Sequence, residues 1–192
     1  MVQPKGLESI EFGPDFNQPL VSPGAEGDAP LGRRHALPAG LKHLPLDNSL
    51  NHPLSGYELP DGLEVLGICA SYDFMSFVRW PSGLEELYLG DDGNDDRLIC
   101  GNFVRSTLPI GLPPNLTLLE FGNLFNSPLT TVAFPPTLRV LEFGHTFNHP
   151  IGRDICDVSL LPEGLDKLPL GRRASTAASR TFGCRSARSP SS

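Results

Sequence analysis

The chain has 192 residues, 39% hydrophobic and 8% aromatic, with 20 Gly, 20 Pro and a net charge of −7. That is enough apolar material for one core, and the acidic balance excludes nucleic acid as an expected partner because it repels phosphate. No 18-residue apolar stretch occurs, so no membrane span is expected either.

The charge is uneven. Residues 1–170 carry 10 basic and 22 acidic side chains, whereas residues 171–192 carry five bases (Arg172, Arg173, Arg180, Arg185 and Arg188) and no acid. A Ser-rich basic end of this kind is expected to be solvated and disordered. The chain therefore divides into a body over 1–171 and a tail over 172–192. Cys69, Cys100, Cys156 and Cys184 lie far apart with no Cys-x-x-Cys pair, which argues against a zinc site or a disulfide scaffold. No apolar leader follows Met1, so a cytoplasmic protein with reduced thiols is expected.

In chain order the body repeats one phrase, an apolar-Pro pair followed by Leu-x-x-Leu-x-Leu/Phe and a Phe-Asn-x-Pro turn. The first unit reads Pro4, Leu7, Ile10, Phe12-Gly13, Phe16-Asn17, Pro19. The second reads Leu37-Pro38, Leu41, Leu44, Leu46, Leu50-Asn51, Pro53. The third, Leu59-Pro60, Leu63, Leu66, Ile68, Phe74, loses the Asn; the fourth, Trp80-Pro81, Leu84, Leu87, Leu89-Gly90, Asn94, loses the Phe. The fifth and sixth are near copies of each other. Leu112-Pro113, Leu116, Leu119, Phe121-Gly122, Phe125-Asn126, Pro128 returns 22 residues later as Phe134-Pro135, Leu138, Leu141, Phe143-Gly144, Phe147-Asn148, Pro150. The seventh, Leu161-Pro162, Leu165, Leu168, Leu170-Gly171, runs into the tail.

Self-similarity at this period marks a solenoid. Each Leu-x-x-Leu-x-Leu is too short and too tightly bounded by Gly and Pro for a helix, and its last apolar pair alternates as a strand does. One such strand cannot bury its face alone. Stacked coils place equivalent strands side by side in a short parallel β-sheet, with the Leu columns inward. The spacing thus predicts a β-rich, leucine-rich-repeat-like solenoid of about seven units. Phe16, Phe74, Phe125 and Phe147, with Leu50 substituting, are expected to form a second interior column. Asn17, Asn51, Asn94, Asn126 and Asn148 are expected to bury amides that bond neighbouring coils.

The intervals between the leading prolines (4, 38, 60, 81, 113, 135 and 162) vary, and the extra residues fall at one phase, in 21–36, 98–111 and 152–160. Insertions at one phase emerge from one face of a solenoid. The second, with Ile99, Phe103, Val104 and Leu108, is apolar enough to pack down.

The phrase Leu-x-x-Leu-x-Phe-Gly-x-x-Phe-Asn-x-Pro-Leu/Ile, complete at Phe121–Leu129 and Phe143–Ile151 and close to complete at Phe12–Leu20, resembles the FNIP repeat, a relative of the leucine-rich repeat. The resemblance covers residues 3–171. It implies a solenoid used for protein–protein interaction, with no catalytic residues to transfer. Neither end shows a polar cap, so the ends are open to self-association.

Little in the sequence competes with that expectation. Asp92, Asn94 and Asp96 imitate the start of a calcium loop, but Arg97 stands where Gly is needed and Phe103 where the bidentate Glu belongs. The acidic turn 91–96 still offers an alternative, a structural or calcium- or glycan-responsive repeat protein. His145 and His149 flank a turn and lack a third ligand. No nucleophile elbow, phosphate loop or dinucleotide fingerprint is present, so neither an enzyme, a cofactor nor a metal is expected.

What remains is a surface. Alternation turns two positions of each strand outward. One outward row reads Ser9, His43, Val65, Glu86, Leu118, Val140 and Lys167; the other reads Glu11, Pro45, Gly67, Tyr88, Glu120, Glu142 and Pro169. Val65, Tyr88, Leu118 and Val140 form an apolar stripe flanked by Glu86, Glu120 and Glu142. Apolar anchors with acidic neighbours suit a protein partner carrying a basic patch.

Overall fold

The computed structural model describes residues 6–13, 16, 18, 37–46, 59–68, 80–90, 111–123, 125–126, 128–129, 132–149 and 161–169. Each of the six later coils begins with a turn set by its proline. The carbonyls of Pro38, Pro60, Pro81, Pro113, Pro135 and Pro162 each accept the N–H of the Leu three residues on, at 3.0–3.3 Å. The intervening pairs are Ala-Gly, Asp-Gly, Ser-Gly, Pro-Asn, Pro-Thr and Glu-Gly, small or turn-forming residues that accommodate the reversal.

Four-residue strands follow these turns: β1 (His43–Leu46), β2 (Val65–Ile68), β3 (Glu86–Leu89), β4 (Leu118–Phe121) and β5 (Val140–Phe143). They form a single parallel sheet in sequence order. The ladder reaches one coil further each way, through isolated bridges from Ser9 to His43 and from Val140 to Lys167. Just before each strand, one carbonyl serves two donors of the next coil. Thr117 O, for example, accepts Arg139 N–H at 2.8 Å and Val140 N–H at 3.0 Å. The same fork recurs at Glu8, Lys42, Glu64, Glu85 and Arg139, so each of the six later coils joins the ladder by the same hydrogen bonds.

The core is three stacked columns. Leu41, Leu63, Leu84, Leu116 and Leu138 form the first, Leu44, Leu66, Leu87, Leu119 and Leu141 the second, and all ten are fully buried. Leu46, Ile68, Leu89, Phe121 and Phe143 form the third. Burying one such side chain contributes about 1.5–3 kcal/mol relative to leaving it exposed. The columns loosen at both ends: Leu7 is 37% exposed, and Leu165 and Leu168 are half-buried.

Behind the third column lie Phe125 and Phe147, both buried, as the sequence predicts. Phe121 stacks on Phe125 and Phe143 on Phe147, each at 4.1 Å between centroids, and the two pairs stack on one another at 5.2 and 5.8 Å. Phe12 and Phe16 repeat the pair at 4.3 Å, half-buried. Phe74 and Leu50 lie outside the described residues.

The asparagines differ from expectation. Asn126 is half-buried and Asn148 exposed, and the Asn126 Oδ1 accepts the Asn148 N–H at 2.9 Å. Asn126 and Asn148 stand at the rim of their coils, and the bond between them is open to solvent. The side chain therefore links coils as an exposed acceptor and is not a buried amide. Asn17, Asn51 and Asn94 lie outside the described residues, as do nearly all of the three insertions.

Candidate functional site

The outward rows predicted from alternation are the rows of the sheet. Register pairs Val65 with Glu86, Glu86 with Leu118, and Leu118 with Val140; beside them it pairs Gly67 with Tyr88, Tyr88 with Glu120, and Glu120 with Glu142. All seven candidate residues (Val65, Glu86, Tyr88, Leu118, Glu120, Val140 and Glu142) thus share one face of four adjacent strands. Each is half-buried. Equivalent positions on neighbouring strands lie about 4.8 Å apart.

The centre of this face is Tyr88. Its hydroxyl donates to Glu86 Oε2 at 2.8 Å, a pairing available because residues i and i+2 of a strand point the same way. Burial pushes the phenol up to about 12, helped by the Glu86 hydrogen bond and by the charges of Glu86, Glu120 and Glu142. All these causes favour the neutral phenol. Tyr88 is therefore a neutral donor held beside carboxylates, and the face as a whole interleaves apolar side chains with carboxylates. Lys167 and His43 are the basic side chains in the described outward rows, one at each end.

Sequence reasoning missed the Glu86–Tyr88 hydrogen bond, although Glu-x-Tyr on a strand carries the signal. It also missed a set of clasps between turns. Asn115 Nδ2 donates to Ser82 O at 2.8 Å, Thr137 Oγ1 to Leu116 O at 2.8 Å and Pro114 O at 3.0 Å, and Arg139 Nη1 to Gly164 O at 2.8 Å. Trp80 Nε1 donates to Gly111 O at 2.8 Å, tying the fourth coil's opening to the last residue of the 98–111 insertion. The substitution of Trp for the usual Leu or Phe marked that position in the sequence.

The other candidates do not assemble. His145 is exposed. His149 Nε2 lies 3.1 Å from the Asn126 carbonyl, which can only accept, so that nitrogen carries the proton and cannot ligate a metal in this arrangement. Among the described residues no three His, Cys, Asp or Glu come together to hold an ion, and no helix is long and apolar enough to cross a membrane. The acidic turn 91–96 lies outside the described residues.

The family model described as FNIP Repeat matches residues 105–146, the stretch that holds β4, β5 and three of the four stacked rings, Phe121, Phe125 and Phe143. Residues 105–146 are thus similar to the FNIP repeat. No curated protein sequence matches the chain significantly. Among solved structures the chain is similar to CroV588, described as a novel circular LRR protein, with a TM-score of 0.58 and 28% identity over 88% of this chain. The chain spans 21% of that protein's length. The coils, with their strands in one parallel sheet, are thus similar in fold to those of a leucine-rich-repeat protein. Repeats of the FNIP and leucine-rich-repeat type are generally non-catalytic.

Proposed function

We propose that the chain is a non-catalytic protein-interaction module whose open sheet face holds a basic segment of a partner protein. Seven coils over 1–171 would form the body, with 172–192 as an appended basic tail. The interpretation is supported by the ladder's reach from Ser9 to Lys167. A cytoplasmic setting fits cysteines that lie far apart in sequence.

The single observation behind the proposal is the register that sets Glu86, Glu120 and Glu142 around Val65, Tyr88, Leu118 and Val140. An extended segment could lay apolar side chains on the stripe and cations against the carboxylates. Long-range attraction would speed encounter, and the half-buried Tyr88 would supply an anchor. The test is fluorescence anisotropy with a short synthetic peptide of repeated Arg-Val-Arg-Ser. The combined variant Glu86→Lys, Glu120→Lys, Glu142→Lys should lose at least about tenfold in affinity, roughly 1.4 kcal/mol. Glu163→Lys, on an exposed turn, should bind as the parent does. Equal affinity for parent and triple variant, with both folded, would remove the face from the proposal.

A further inference from the structure

We infer that the basic tail, residues 172–192, folds back across the rows of Glu142, Glu120 and Tyr88 and occupies the face in competition with an external partner. The inference rests on the face recognising basic segments, and it adds where the first such segment comes from.

Position supports it. Val140 bridges Lys167, and Phe143 N–H donates to Pro169 O at 3.1 Å, so the ladder sets Pro169 in the row of Glu142, Glu120 and Tyr88. The tail begins three residues beyond that point. Three strand spacings, about 14 Å, separate the Pro169 row from Tyr88. Eleven residues from Pro169 to Arg180 can span up to about 36 Å, more than twice what is required. By chain length Arg172 and Arg173 come within reach of Glu142 first, and Arg180 can reach past Glu86.

Charge supports it independently. The tail carries five Arg and no acid, while residues 1–170 are net −12. In the described outward rows of β3 to β5 the charged groups are Glu86, Glu120 and Glu142, and Lys167 stands only at the edge bridge. A guanidinium pairs bidentately with a carboxylate and also stacks on an aromatic face, and this surface offers both. Tethering sets the tail at a millimolar effective concentration, so even weak pairing in cis competes with a partner in trans.

The test uses the full chain. With Cys69, Cys100 and Cys156 replaced by Ser, a spin label on Cys184 should broaden the amide signals of Tyr88, Glu120 and Glu142 selectively. The broadening should fade when salt near 1 M shortens the screening length to about 3 Å. Broadening elsewhere, or nowhere, overturns the inference. Because those three Cys substitutions could themselves unfold the chain, a second variant changes only the tail. Replacing all five tail Arg with Ser should raise affinity for the Arg-Val-Arg-Ser peptide about tenfold by removing the competitor in cis. Equal binding by parent and tail variant overturns the tail's role while the face keeps its function. Binding by neither overturns both.

Discussion

Gly144 packs so closely on the preceding coil that an added Cβ would overlap the Asn123 Cα and the Gly122 carbonyl oxygen. Gly90 is doubly constrained, with φ of 121° and a Cβ position 2.7 Å from the Gly122 Cα. The Gly that follows β3, β4 and β5 (Gly90, Gly122 and Gly144) is thus a point where successive backbones nearly touch. Gly144→Ala should cost about 1–3 kcal/mol in urea unfolding, as overpacking does. Gly62→Ala, with nothing within 4 Å of the added atom, should stay within about 0.5 kcal/mol. Equal effects would contradict the packing described here. Tyr88 makes the second prediction at this scale. Its folded value of about 12 lies above the ordinary 10.0, so the folded chain holds this proton more tightly than the unfolded one. The associated stability is complete below pH 10 and is lost as pH rises through about 12. A tyrosinate absorbance titration of the parent minus Tyr88→Phe should show a midpoint near the higher value. A midpoint near 10 would place the phenol in open water.

One coil is a turn, a strand and a return, and its stability is mostly the fit to its neighbours. In the fifth and sixth coils that fit includes four stacked rings, so Phe147→Ala should cost about 3–5 kcal/mol by chemical denaturation. A loss below about 1 kcal/mol would mean the ring has no such role. Trp80→Phe keeps the apolar bulk but removes the hydrogen bond to Gly111, for an expected loss of about 0.5–1.5 kcal/mol. The strands and their inward columns were legible in the sequence because the proline that starts each turn recurs before the same Leu spacing, and period two then assigns every side chain to a face. The Asn126 amide was not, because a single unit does not say which side of its return faces water. Nor were the clasps from Asn115, Thr137 and Arg139, since they depend on the offset between coils, which only the stacked structure defines. Of the candidate site, the membership of the two outward rows was legible. The hydrogen bond that orients Tyr88 on Glu86 was not.

At the scale of the molecule, a solenoid contacts only its sequential neighbours, and β1 to β5 pair in sequence order. Such a stack turns a repeated sequence position into a continuous row. The rows that face inward hold the fold, and the rows that face outward are free to vary without disturbing it. That division explains how Glu86, Tyr88, Glu120 and Glu142 can sit on an otherwise uniform Leu framework. It also places the proposed surface on hydrogen-bonded strands, where a bound segment need not first organise its site. The most direct test of the central claim, that this face is the binding surface, is chemical-shift mapping of the isotope-labelled full chain during titration with the Arg-Val-Arg-Ser peptide. The account predicts saturable shifts concentrated at Val65, Glu86, Tyr88, Leu118, Glu120, Val140 and Glu142, weakening as salt is raised. Shifts confined to other residues, or none at peptide concentrations that saturate the anisotropy signal, would contradict it.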